Sequence, residues 1–214
     1  VHIEDCANLV MYNNYIGSDS SSGTSDYGNA GDGIEVDCGT IVIGSNLDST
    51  DDNSEGNLVV ANNGYGIYLN GASATSATIH GNFIGSNAQG GQNFTNFGNT
   101  LGGVEVNASA LTSLTIGDPD SDAINRILEN GGGVRVQGTA TDATIAIKNN
   151  SIGVENETFP FSDQVVVGNN GSSGYMKGIV IDLITGTADV TIGGANGSSD
   201  NGNEIAGHTS HGVE

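Results

Sequence analysis

Short runs of alternating apolar and other residues recur along the whole chain and predict many short β-strands. Five of these runs begin with Gly and then place apolar residues two positions apart. They span residues 33–36, 66–69, 103–106, 133–136 and 178–181. Because residues two apart share one face of a strand, each run should bury two residues in a common core. The expected inward columns are Ile34, Ile67, Val104, Val134 and Ile179, and then Val36, Leu69, Val106, Val136 and Ile181.

The residues between these apolar positions should face outward. They are Glu35, Tyr68, Glu105, Arg135 and Val180. A second apolar run follows most of the first ones, and its central threonines are expected to form another outward column. The threonines are Thr78, Thr115, Thr144 and Thr191. No window has the period of an amphipathic helix.

Two Asn-containing motifs repeat at fixed distances. Asn-x-Ile-Gly begins at Asn14, Asn82 and Asn150, which are 68 residues apart. Asn-x-Val/Ile begins at Asn57, Asn125 and Asn203, 43, 43 and 53 residues after the first series. The pattern predicts three double-turn repeats, with ten extra residues in the third, inside residues 154–177. Asn side chains at such corners can bond to the like amide one layer away.

Three short strands per turn, stacked turn on turn, describe a solenoid in which each turn needs its neighbours to cover its core. The segments LVMYNNYIGSD, GIYLNG and ATIHGNFIGSN resemble the repeats of right-handed parallel β-helix proteins. They are similar in particular to large secreted bacterial surface and adhesin proteins, which share the pectate-lyase-like architecture. The resemblance implies an all-β, right-handed parallel β-helix of about six turns, with residues 1–214 as a single domain. It implies little about function, because this architecture hosts enzymes, adhesins and fibres.

Charge narrows the possible partners. The net charge is −21, with only four Lys and Arg residues, so nucleic acid has almost nothing to bind and an anionic membrane would repel the chain. No apolar stretch has the length of a membrane span. Divalent cations and basic partners would be attracted.

The two cysteines, Cys6 and Cys38, each follow a strand-like run and an Asp. If the two strands stack as neighbours, their Cα atoms would lie about 4.8 Å apart, which permits a disulfide. Two buried thiols in contact would fit the pattern equally well.

The sequence contains no convincing set of catalytic residues. The cations are scattered, no Ser/His/Asp nucleophile motif is visible, and the four histidines lack metal-ligand spacing. Glu35 and Glu105 share the outward column at about 10 Å, a separation that suits a glycosidase pair, but solvated surface charges are the expected reading. No enzyme activity and no obligatory cofactor are predicted.

Calcium is a candidate ligand. Asp118, Asp120 and Asp122 alternate along one acidic segment, as in an EF-hand loop. The sixth position of that segment is Ala123 rather than Gly, and its context is strand-turn-strand. The sequence therefore rejects an EF-hand and keeps a loop site for calcium.

The two ends of the sequence match each other in phase. If Glu214 leads into Val1 of a following copy, Asn203 lies 25 residues before the next Asn14, as Asn57 lies before Asn82. This predicts a head-to-tail contact that open-ended stacking would propagate into a filament. Its expected residues are Val1, His2, Ile3, Gly212, Val213 and Glu214.

The expected function is an extracellular structural β-solenoid unit, from the surface filament, sheath or adhesin stalk of a bacterial or archaeal cell. Its partners would be copies of itself or flanking repeats of the same polypeptide, with glycans or divalent cations as further candidates. The alternative is a carbohydrate-binding or polysaccharide-cleaving β-helix domain. Its glycan surface would be formed by the outer loops at residues 86–102 and 154–177.

Overall fold

The protein is all-β with parallel strands in its computed structural model, as the sequence predicts. The structure describes residues 1–19, 27–45, 50, 54–85, 97–117, 123–155, 165–166, 177–183, 187–194, 202–206, 208 and 210–214. Eighteen β-strands form in these residues, and among them only β14 and β15 pair antiparallel. Much of the predicted third-repeat insertion, residues 154–177, lies outside the described residues, as does most of the 86–102 loop.

The largest sheet has ten strands arranged in two rows. Strands β1 (His2–Met11) and β3 (Ile34–Gly44) are long enough to join both rows, so the sheet curls between them. The first row continues from β3 through β5 (Tyr65–Gly71), β8 (Gly102–Ala108), β11 (Val134–Gly138) and β16 (Ile179–Ile181). The second row continues through β6 (Ser76–His80), β9 (Ser113–Ile116), β12 (Ala143–Ile147) and β17 (Ala188–Ile192).

A separate sheet of six short strands forms the third row. In order, it contains β2 (Tyr15–Ile16), β4 (Leu58–Val59), β7 (Phe83–Ile84), β10 (Asn125–Ile127), β13 (Asn150–Ile152) and β18 (Glu204–Ile205). The small antiparallel pair is β14 (Val154–Glu155) with β15 (Val165–Val166). The chain visits the three rows in the same order each time, which gives a solenoid-like fold of parallel strands.

The core consists of the predicted apolar columns. Ile34 pairs with Ile67, Ile67 with Val104, Val104 with Val134, and Val134 with Ile179, and all five side chains are fully buried. The second column is buried from Val36 to Val136 and half-buried at Ile181. Like side chains therefore cover one another from layer to layer, because no layer has a core of its own.

The predicted threonine column is wrong at one position. Thr78 pairs with Thr115, but Thr115 pairs next with Ala146, and Thr191 follows Ala146. Thr144 instead lies between Ser113 and Asp189, two residues further back along β12. A slip of two residues keeps every side chain on the same face of the sheet, so the alternation of apolar residues could not reveal it.

Six asparagines, of which the inner four are buried, form a ladder through the third row. Asn14 donates its Nδ2 to Asn57 Oδ1 at 2.9 Å, and the same contact repeats from Asn57 to Asn82 at 3.0 Å. It continues through Asn125, Asn150 and Asn203. Every described link runs in one direction, from the side-chain amide of one layer to the side-chain oxygen of the next along the chain. The ladder confirms the amide stacking expected from the Asn-x-Ile motif.

A second asparagine ladder, absent from the sequence prediction, runs ahead of the first row. Asn29 donates to Asn62 at 2.7 Å, Asn62 to Asn99 at 2.8 Å, and Asn99 to Asn130 at 2.8 Å. Asn29, Asn62 and Asn99 each lie four residues before the Gly that opens the next strand, and this spacing was the available signal.

Gly in the Asn-x-Ile-Gly motif allows the layers to approach closely. Gly17, Gly85 and Gly153 have φ values of 86°, 87° and 79°, in the left-handed region that favours Gly. A Cβ at Gly85 would also collide with the carbonyl oxygen of Leu128 in the adjacent layer. The motif therefore fixes both the backbone bend and the spacing of the third row.

Cys6 and Cys38 form a disulfide between β1 and β3, with their Cα atoms 4.7 Å apart. The bond connects the first layer of the solenoid to the second. It resolves the choice that the sequence left open.

Replacing Asn125 with Leu should lower the free energy of unfolding by about 3 kcal/mol or more, because several buried donors and acceptors would each lose one partner. These include Asn82 N and Nδ2, the Ile79 carbonyl and Asn150 Oδ1. Urea denaturation measures the change. Asn70→Ala is the control, with an expected loss below about 0.5 kcal/mol, because its bond to Glu35 is long and half-buried. Equal losses in the two variants would contradict a structural role for the ladder.

Replacing both cysteines with Ala should cost about 3–4 kcal/mol, because the disulfide closes a loop of 32-residue separation in the unfolded chain. Since β1 has a described partner on one edge only, the loss should appear there first. Hydrogen exchange of β1 amides should accelerate far more than that of β9 amides. Uniform acceleration across both strands would show that β1 is not a separately stabilised layer.

Candidate functional site

The outward column of the first row brings charged side chains from several layers together. Strand pairing places Glu35 beside Tyr68, Tyr68 beside Glu105, Glu105 beside Arg135, and Arg135 beside Val180. The alternation predicted the members of this column correctly, but Val180, expected to face outward, is buried. The expectation of solvated charges was wrong for Glu105.

Glu105 is 0 % exposed, which corrects the expectation of a solvated surface carboxylate. Neither of its oxygens has a hydrogen-bond partner among the residues that the structure describes. The Arg135 Nη1 lies 3.8 Å from Glu105 Oε1, while Arg135 Nη2 lies 3.4 Å from Oδ2 of the exposed Asp182. Arg135 therefore bridges a buried carboxyl group to an exposed one.

Burial raises the pKa of Glu105 from 4.5 to about 7, and the nearby Arg135 guanidinium lowers it only in part. Burial and the charge of Glu105 also raise the pKa of Tyr65, whose ring lies 5.4 Å from that of Tyr68. A carboxyl group with such a pKa could exchange a proton near neutral pH. In this conformation a substrate has no access to it, because its surface is fully covered.

The two ends of the solenoid are the other candidate site. We call the open edges of β1 and β2 the N-terminal face. The C-terminal face comprises residues 212–214 and the open edges of β17 and β18. The six residues predicted to join copies divide between these faces, with Val1, His2 and Ile3 on the first and Gly212, Val213 and Glu214 on the second.

The N-terminal face exposes apolar side chains on an unpaired strand edge. The described residues pair with β1 along one edge only, through β3. Val10 is 54 % exposed, and Tyr12 and Tyr15 nearby are exposed as well. His2 Nδ1 lies 3.0 Å from Glu35 Oε2 and so connects this face to the outward column.

The C-terminal face repeats these features at the opposite end of the sheet. Val213 pairs with Ile179, and Glu214 N donates to the Ile179 carbonyl at 2.9 Å. Val213 is 48 % exposed and Ile192 of β17 is 38 % exposed. A hydrogen bond from Lys177, with His211 adding favourable charge, lowers the pKa of Glu214.

Val1 and Val213 occupy equivalent positions at the two ends. The pairing of His2 with Glu35 and Ile3 with Val36 places Val1 beside Ile34. Val213 pairs with Ile179, which belongs to the same column of residues as Ile34. Each end thus adds one valine to the same inward column.

The asparagine ladder gives the two faces opposite hydrogen-bonding character. Asn14 donates to Asn57, and the described residues bring no donor to its Oδ1. Asn203 accepts from Asn150, and its Nδ2 donates only to the Ile147 carbonyl within the described chain. The N-terminal face therefore offers an acceptor and the C-terminal face a donor.

The predicted calcium residues Asp118, Asp120 and Asp122 lie outside the described residues. In the parts of the chain that the structure covers, no group of three or more His, Cys, Asp or Glu side chains is placed to hold a metal ion. A search of the same parts for a helix long and apolar enough to cross a membrane finds none.

Two contributors to these sites were missed at the sequence level, Asp182 and Lys177. Asp182 follows β16 directly and Lys177 precedes it closely, so the proximity of both to the outward column was available from the repeat. Their specific partners were not, because Arg135 and Glu214 come from other layers.

Comparison with known proteins finds no family model that matches the chain, and no curated protein or solved structure with a significant match.

Replacing Glu105 with Gln should remove a pH dependence of stability. Because folding raises the pKa of Glu105, stability is full below about pH 4.5 and falls as the pH rises through about 7. The shift corresponds to about 3 kcal/mol, so E105Q should be more stable than the parent by up to that amount at pH 8 and equally stable near pH 4. Urea titrations at both pH values, with the half-exposed Glu35→Gln as control, measure the difference. A less stable E105Q at pH 8 would mean that the Arg135 ion pair outweighs the cost of burial.

Proposed function

We propose that the chain is an extracellular structural unit, a right-handed parallel β-solenoid of six turns in three double-turn repeats. Units stack head to tail into a filament, sheath or adhesin stalk of a bacterial or archaeal cell surface. The partner at each end is another copy or a flanking repeat of the same polypeptide. The strand of Gly212, Val213 and Glu214 continues into Val1, His2 and Ile3 of the next unit, and the unit carries out no catalysis.

The observation that carries this proposal is the complementarity of the two end faces. A donor at Asn203 faces outward at one end and an acceptor at Asn14 at the other. Exposed apolar side chains accompany the donor on the C-terminal face, at Val190 and Ile192, and would meet Leu9 and Met11 of the next copy. A second copy in the same orientation would extend the ladder and cover these side chains, whereas two N-terminal faces would bring acceptor against acceptor.

The layer spacing supports the same orientation. Residues 8–11 begin the second row, because they pair with residues 40–43 of β3, and β17 ends it. In a stack, residues 8–11 of the next copy would therefore lie next to β17. Parallel strands on open edges extend one another through main-chain hydrogen bonds. The contact is heterologous and does not close, so it generates a fibre.

The disulfide supports the extracellular assignment. Cys6–Cys38 requires an oxidising compartment to form and persist, and disulfides are rare in reducing cytosol. The strong negative charge keeps such a surface soluble and favours divalent cations, calcium among them, as counter-ions.

The alternative, a carbohydrate-binding or polysaccharide-cleaving domain, is favoured by one observation. The paired rings of Tyr65 and Tyr68 lie next to carboxylates on the outward column, an arrangement suited to contacting a sugar. Titration with neutral and acidic oligosaccharides, monitored by tyrosine fluorescence and by product analysis, separates this function from the structural one.

Electron microscopy of the native material should show a continuous fibre. Six layers of about 4.8 Å predict an axial repeat of about 29 Å. The double variant Val190→Lys and Ile192→Lys should yield separate particles, because it places charges on the inward columns that the C-terminal face leaves exposed. Separate particles of the parent protein at high concentration, or an unrelated repeat, would refute head-to-tail stacking.

A further inference from the structure

We infer that stacking exchanges one strand for another: residues 212–214 of one copy take the strand edge of Ile34 and Glu35 in the next copy. Val1 of that next copy shifts to lie beside Val36, and residues 2–5 form the corner before Cys6. This inference rests on the proposed head-to-tail function. It specifies the register in which the two end faces meet.

When two copies stack, a segment from each end face would have to occupy the same layer of the first row. If residues 8–11 of the next copy pair with β17, the third row continues from β18 into β2 in the same layer. Residues 1–3 of that copy, held beside residues 34–36, would then fall in the layer that Val213 and Glu214 already occupy. Two chain segments cannot occupy one layer, so one of them must move.

The lengths of two internal turns show how the movement can occur. Ile67 lies nine residues before Ser76, and Val104 nine before Ser113. Across the junction, Val213 followed by Glu214 and Val1 also reaches Asn8 in nine steps. Val1 then takes the position that Leu69 and Val106 have in their layers, and Cys6 takes that of Ala74 and Leu111, which are fully buried.

The rearrangement is confined to residues 1–5. The register of β1 already breaks between Glu4 and Cys6, and Asp5 between them has φ of 59°. The disulfide and every pairing after it keep their places, so Cys6 anchors the moving segment. Among the described residues, the movement breaks the strand pairing of residues 2–4 with residues 35–37. It also breaks the hydrogen bonds from Val1 N to the Gly33 carbonyl and from Glu35 N to the Val1 carbonyl, and it separates His2 from Glu35.

The exchange covers apolar side chains at one electrostatic cost. Val213 becomes enclosed between Ile179 of its own copy and Ile34 of the next, and Val1 between Ile181 and Val36. Glu214 comes to lie beside Glu35, which places two carboxylates in adjacent strands. Lys177, already paired with Glu214, offsets part of that repulsion.

Disulfide trapping between two populations of the 214-residue chain tests the register. One population carries Glu214→Cys, and the other carries either Glu35→Cys or His2→Cys. The native cysteines are already paired with each other, so they do not compete. Opposed residues in neighbouring strands bring their Cα atoms to about 4.8 Å, within disulfide range. Mixtures are assembled at about 0.15 M salt, oxidised mildly, and analysed on non-reducing gels and by light scattering.

The exchange predicts a cross-linked dimer from E214C with E35C, at least tenfold more abundant than from E214C with H2C. His2→Ala should also increase assembly at a given concentration, because it removes the 3.0 Å contact that holds the unassembled register. Assembly with the E214C–H2C product dominant, or weakened by H2A, would overturn the exchange while leaving stacking intact. Absence of assembly in the parent chain would overturn both.

Discussion

The constraint on which this molecule depends is that no layer can cover its own apolar face. Each layer contributes only a few inward side chains, such as Ile34 and Val36, and these are buried only because Ile67 and Leu69 lie against them. Because of this dependence, similar residues stack in columns, and the corners of successive layers share similar backbone conformations. The repeated sequence is a consequence of this physical requirement.

The asparagine ladder gives the stack of layers a direction. A buried amide has both a donor and an acceptor to satisfy, and a stack of amides satisfies them only if each side chain points the same way along the axis. The structure shows this one-way order from Asn14 to Asn203. Its consequence is that the two ends differ chemically, and the proposed polarity of assembly follows from that difference.

Glu105 is a charged residue at an outward position that the fold nevertheless buries. Its position faces away from the core, yet the side chain is fully buried, with the Arg135 guanidinium as its charged neighbour. A carboxyl group in such a place favours its neutral form.

Sequence periodicity alone determined the strands, their inward columns and the third-row ladder, because a repeated layer must repeat its spacing. The second ladder follows the same logic, and the four-residue spacing of Asn29, Asn62 and Asn99 before a Gly could have revealed it. Only the tertiary structure decided what depends on neighbours from other layers. That includes the two-residue slip at Thr144, the burial of Glu105 and the bond between Cys6 and Cys38. The alternation of apolar residues has a period of two, so it specifies which face of a strand a residue occupies. It does not specify the register of the strand, the groups that cover a side chain or the partner of a cysteine, which depend on the folded stack.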